Sequence, residues 1–147
     1  MYKIAVLDDD ETWNIAVTRF FSRQGFQVKS FTNASEFLAE AQEFDLALID
    51  FYLSFPQEVS SAPSDLNGCD LNGYMIIRHL KHSLKNCPIL VLASAFVDME
   101  SARLFPEADF FLVKDIGLDV ILQRARELIE SRHHSRKSQP MTVMNPT

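Results

Sequence analysis

A chain of 147 residues, 47% hydrophobic and 11% aromatic, is long and apolar enough to bury one full core, which excludes global disorder. Its 20 acidic against 14 basic residues give a net charge of −6, which argues against a general nucleic-acid binder. No run approaches the roughly 18 apolar residues of a membrane span, and Asp8 breaks the first run before it could act as a signal segment, so a cytoplasmic protein is expected.

In chain order, Tyr2–Leu7 reads as a strand that ends on Asp8-Asp9-Asp10. Glu11–Gln24 reads as a helix with Trp13, Ala16, Val17, Phe20 and Phe21 on one face, closed by Gly25. Phe26–Phe31 is a second strand. Asn33-Ala34-Ser35-Glu36 resembles a capping box and opens a short helix that ends near Gln42. Asp45–Asp50 is a third strand, again ending on an acid. An irregular stretch follows from Phe51 to Asn72, with the tandem Asp65-Leu66-Asn67-Gly68 and Asp70-Leu71-Asn72-Gly73. Each Asn-Gly favours a turn, and a stretch this long is either a functional excursion or a solvated one.

Gly73–Lys85 is a further helix, Ile89–Ala93 a fourth strand and Asp98–Phe105 a short helix. Asp109–Val113 is the fifth strand and Ile116–Ser131 the last helix. Residues 132–147 form a polar tail, basic in its first half and without apolar periodicity. Cys69 and Cys87 lack metal-ligand spacing and read as reduced thiols. His79 and His82 read as polar-face residues rather than a metal pair.

Five strands alternating with five helices predict an α/β domain over residues 1–131, a doubly wound, flavodoxin-like parallel sheet in the order 2-1-3-4-5. In that order the first and third strands are neighbours at the point where strand order reverses, which is where such sheets bind ligands. Asp8, Asp9 and Asp50 then share one pocket, with Ser94 and Lys114 from the fourth and fifth strands beside it. Clustered carboxylates repel one another, and a hard divalent cation such as Mg²⁺ relieves that repulsion. Asp50 suits a nucleophile that forms an acyl phosphate, with Lys114 and the Ser94 hydroxyl stabilising the transferred group. Asp10, with Glu11, reads as a helix-start acid.

Four segments, Val6-Leu7-Asp8-Asp9, Leu48-Ile49-Asp50, Leu90-Val91-Leu92-Ala93-Ser94 and Phe111-Leu112-Val113-Lys114, resemble in order and placement the receiver domain of two-component response regulators. The resemblance covers about residues 2–131. It implies that Asp50 accepts a phosphoryl group from a histidine kinase or a histidine phosphotransfer protein. It also implies that Asp8 and Asp9 bind Mg²⁺ together with Asp50 and the backbone carbonyl of Tyr52, and that Ser94, Lys114 and the switch aromatic Phe111 respond to the phosphoryl group. No turnover of an external substrate is implied. With no second domain in view, output would pass through a protein partner rather than nucleic acid or membrane, and the apolar start of the last helix offers a homodimer face.

Three departures stand out. The hydroxyl position falls on Ala93 when counted from Pro88, and Ser94, one residue later, is the hydroxyl at hand. Asp115 stands where a proline is common, so a trans bond is expected after Lys114. Gly73 lies 23 positions after Asp50 (73 − 50), where about eight is usual in the family, which implies an insertion of roughly 15 residues. Two other functions fit parts of the pattern. A degenerate receiver would act as a phosphorylation-independent binding module. Asp8-x-Asp10-x-Thr12 also matches haloacid-dehalogenase-type phosphohydrolases, in which Asp8 would be the nucleophile and Asp10 the acid/base.

Overall fold

The computed structural model describes residues 1–53, 72–95 and 103–143, with side chains described as far as Ser135. Five strands, β1 (Lys3–Leu7), β2 (Gln27–Phe31), β3 (Leu46–Asp50), β4 (Ile89–Ser94) and β5 (Phe110–Val113), form one parallel sheet in the order β2-β1-β3-β4-β5. The described helices are α1 (Glu11–Arg23), α2 (Ala34–Glu40), α3 (Gly73–Ser83) and α4 (Leu118–Val143). The described residues thus hold four α-helices where five were expected. The missing one, Asp98–Phe105, lies outside them except for its last three residues. Most of the expected 51–72 excursion also lies outside them.

The sheet is covered on both faces, so its central strands are continuous apolar runs rather than alternating ones. On one face, Ile4, Val6, Leu46, Leu48, Val91 and Leu112 pack under Val17 and Phe21 of α1 and Ile121, Ala125 and Ile129 of α4. On the other, Ala5, Leu7, Ala47, Ile49, Leu90 and Leu92 pack under Phe37 of α2 and Ile76, Ile77 and Leu80 of α3.

Local chemistry sets the element ends. The Asp10 carboxylate caps α1 by accepting from the Thr12 and Trp13 amides at 3.0 and 3.3 Å. Asn33 caps α2 in the same way, through the amides of Ser35 and Glu36. At the end of α1, Gly25 has φ +95°, its amide donates to the Ser22 carbonyl, and the Phe26 amide donates to the Phe21 carbonyl. This paired closure requires a left-handed residue. At the foot of the sheet, Asp109 accepts from the Leu90 amide and from Lys81 Nζ, tying β4, β5 and α3 together.

Several expected bounds change: α3 stops at Ser83 rather than Lys85, and β4 runs on to Ser94. The 3₁₀ turn Ala41–Glu43 follows α2, so the α-helix stops at Glu40 rather than near Gln42. The last helix begins at Leu118, after a 3₁₀ turn at Lys114–Ile116 and Gly117 with φ +101°, and runs through the expected boundary at Ser131 to Val143. Beyond Ser131 the helix is anchored by side chains rather than by an apolar stripe. Arg132 Nη2 donates to the Cys87 carbonyl at 2.6 Å, and the His133 ring lies 5.2 Å from that of Tyr2.

Candidate functional site

Asp8 and Asp9 follow β1, Asp50 ends β3, and the two strands are direct neighbours. The topology therefore brings together acids far apart in sequence, and carboxylate oxygens of Asp8, Asp9 and Asp50 all lie within 4.8 Å of one another. Asp8 and Asp50 are buried, and Asp9 is exposed at the mouth. Lys114, just past β5, crosses the end of β4 to reach them. Its ammonium donates to Asp8 Oδ2 and lies 3.0 Å from Asp50 Oδ1, with only 14% of the side chain exposed.

The charges are poorly solvated. Burial, reinforced by the nearby charge of Asp8, pushes the Asp50 carboxyl up to about 6, against the opposing pull of Lys114. Burial also raises Asp8, partly offset by its hydrogen bond from Lys114 and by the Asp10 amide, which donates to Asp8 Oδ1 at 2.9 Å. For Lys114 burial works against the ammonium, but the hydrogen bond to Asp8 and the charge of Asp50 outweigh it and leave the pKa raised. Among the described residues one ammonium meets three carboxylates, which leaves the cluster short of positive charge. Its donors are hard oxygens, the set that suits a small divalent cation.

The backbone under the site is closely fitted. The Gly73 amide donates to the Phe51 carbonyl, and a Cβ on Gly73 would stand 2.0 Å from the Asp50 carbonyl oxygen. The start of α3 therefore packs directly on the phosphoacceptor candidate's own backbone, which only glycine allows. Asn14, buried on the inner side of α1, donates from Nδ2 to the Asp8 carbonyl at 2.9 Å. Asn14 did not stand out as a site residue; the signal for it was an amide among the apolar positions of α1.

Other candidates fall around this centre. Ala93 is in direct register with Asp50, and its carbonyl accepts from the Phe51 amide at 2.9 Å. Ser94, fully buried, is the next residue, and strand alternation assigns it to the face of Leu92 and Phe111. Phe111 is buried and stacks on Phe105, with ring centroids 6.0 Å apart. Phe105 in turn meets Tyr74 and Phe51, the residue after Asp50. Tyr52 packs edge-on against Phe51 and is 52% exposed. Asp10 is committed to capping α1, and Asp115 is exposed. No cis peptide occurs among the described residues. His82 is largely exposed and pairs with Glu107.

Solved structures place this geometry. The BeF3-activated receiver domain of DrrB, a Thermotoga maritima protein, is 26% identical, with a TM-score of 0.68 over 88% of this chain and 98% of its own. This is the fold of a response regulator receiver domain. A CheY-like receiver domain protein from Methanospirillum hungatei shares it at 19% identity, with a TM-score of 0.72 over 92% of this chain and 98% of its own. Among curated proteins, the probable transcriptional regulatory protein SilR of Salmonella typhimurium is 28% identical over 130 residues, which is 86% of this chain. The receiver-like chain spans about half of SilR's length, 50%. No family model matches it. Among the described residues no helix is long and apolar enough to cross a membrane.

Proposed function

We propose that this receiver domain is a phosphorylation-dependent switch or relay protein that accepts a phosphoryl group on Asp50 from a histidine kinase or a histidine phosphotransfer protein. The observation that carries the reading is the single ammonium of Lys114 set between Asp8 and Asp50, with Asp9 alongside. Such a cluster suits a site where negative charge arrives with a cation, and costs stability where it does not.

An Asp50 carboxylate oxygen attacks phosphorus and forms the new P–O bond. The P–N bond to the donor imidazole breaks and its electron pair stays on that nitrogen; with a proton already on the other ring nitrogen, the donor departs as neutral imidazole. Asp8, Asp9, Asp50 and the backbone carbonyl of Tyr52 are the residues that would hold Mg²⁺. When bound, such an ion would supply positive charge to offset that on the transferring oxygens. Lys114 exchanges part of its contact with Asp50 for a phosphoryl oxygen as a compact point charge. The signal then passes to a protein partner in the cytoplasm, and no external substrate is turned over.

A second reading is favoured by Ala93, which occupies the register position opposite Asp50 and has no hydroxyl to offer. On that reading the domain binds its partner whether or not it is phosphorylated. Intact mass after incubation with a small phosphodonor, with and without Mg²⁺, on wild type and Asp50→Ala, separates the two. One added phosphoryl group that needs Mg²⁺ and is lost in Asp50→Ala is the expected result. No adduct with small or kinase donors, once fast turnover has been tested, would favour the binding module. An adduct that survives Asp50→Ala would move the nucleophile to Asp8 and revive the phosphohydrolase reading.

A further inference from the structure

Trp13 is the single tryptophan of the chain and sits in the first turn of α1. Its ring lies under the Lys114 ammonium, with Nζ 5.0 Å from the ring centroid. The same ammonium is committed on its other sides to Asp8 and Asp50. The residue is held at both its backbone and its side chain. The Trp13 amide donates to the Asp10 carboxylate that caps α1, and its side chain packs on the core cluster formed by α1, α4 and the sheet. The indole therefore forms a wall beside Lys114 that is seated on the core.

A partly buried ammonium on an aromatic face is attracted by the ring's quadrupole, and the attraction strengthens as water is excluded. It acts on Lys114 without using a hydrogen bond, so the donors of Lys114 stay available for carboxylate or phosphoryl oxygens. Phe or Leu at position 13 would fill much of the same space but weaken or abolish this attraction.

We propose that Trp13 is a positioning residue: its ring face holds the Lys114 ammonium at the mouth of the acidic pocket, where it meets a phosphoryl group on Asp50. The kinetic half of this inference rests on the phosphoacceptor reading above, and the geometric half does not.

Because there is one tryptophan, biosynthetic incorporation of mono-, di- and trifluorotryptophan alters Trp13 alone. Fluorine leaves the shape nearly unchanged and progressively withdraws charge from the ring face. The first readout is the NMR of Lys114 in metal-free protein. Its terminal methylene protons are expected upfield from the ring current, and the displacement is lost in Trp13→Leu. The second is the rate of phosphoryl acceptance from a small phosphodonor. It is expected to fall stepwise along the fluorinated series, to an overall loss of about 5- to 10-fold in Trp13→Leu, with Trp13→Phe between. A protein that accepts the phosphoryl group at one rate across the series would overturn the proposal, as would a Lys114 without the ring-current shift. If wild type takes no phosphoryl group, the phosphoacceptor reading fails alone. The positioning role then stands or falls on whether slow exchange of the Lys114 ammonium protons is progressively lost with fluorination.

Discussion

At the scale of single residues, Gly73 makes the sharpest demand. A methyl group there would lie within bonding range of the Asp50 carbonyl oxygen and would also press on Ile49. Backbone cannot yield as a side-chain tip does, so either α3 must back away or β3 must bend. Gly73→Ala should cost about 1–3 kcal/mol by urea denaturation, the usual range for overpacking, and weaken Mg²⁺ binding by displacing Asp50. Unchanged stability would show that the start of α3 is looser than it looks. Asp10 offers a contrasting case. Its carboxylate already accepts two amides of α1, so Asp10→Ala should lower stability by about 0.5–2 kcal/mol and leave phosphoryl acceptance at Asp50 intact. Loss of acceptance in a folded Asp10→Ala would instead support its acid/base role in the phosphohydrolase reading.

At the scale of elements, most starts and stops could be read from the chain because local chemistry decides them. Asn33 and the Gly25 closure act within a few residues of themselves, and the structure shows the cap and the left-handed turn they imply. The end of α4 was not legible. Past Ser131 the helix has no apolar stripe, and its first anchors beyond that point are contacts with Cys87 and Tyr2, distant in sequence. Arg132→Ala removes a charge-assisted bond to the Cys87 carbonyl and should cost about 1–2 kcal/mol. Hydrogen exchange should then quicken in the helix beyond Ser131 while Ile121–Ile129 stay protected. Equal protection in both proteins would mean that the extension holds itself. The pairing of Lys114 with Trp13 was hidden for a similar reason. Periodicity placed Trp13 on an apolar face, and nothing local showed that a lysine from the far side of the sheet would settle on it.

At the scale of the whole molecule, the sheet order converts two strand-end acids into one electrostatic site, and that site should govern how stability responds to pH and Mg²⁺. The order itself was legible because alternating strands and helices leave few right-handed solutions. What the chain did not disclose was register: Ala93, rather than Ser94, pairs with Asp50, and a one-residue step changes the face that a side chain occupies. The Asp50 carboxyl titrates near 6, above its ordinary 3.8, chiefly because it is buried beside Asp8. A raised carboxyl pKa means that the folded state holds its proton more tightly than the unfolded chain. Its stabilising contribution is therefore complete below about 3.8 and lost as pH rises through about 6. Asp8 is raised too and acts with the same sign. Metal-free protein should thus lose on the order of 1–3 kcal/mol from this site between pH 4 and pH 7, seen as a falling Tm once the same scan on Asp50→Asn is subtracted. Mg²⁺ should restore Tm at pH 7.5, do much less at pH 5 where protons compete for the carboxylates, and do little in Asp50→Asn at either pH. If wild type and Asp50→Asn show parallel pH profiles and equal gains from Mg²⁺, the three acids do not act as one site.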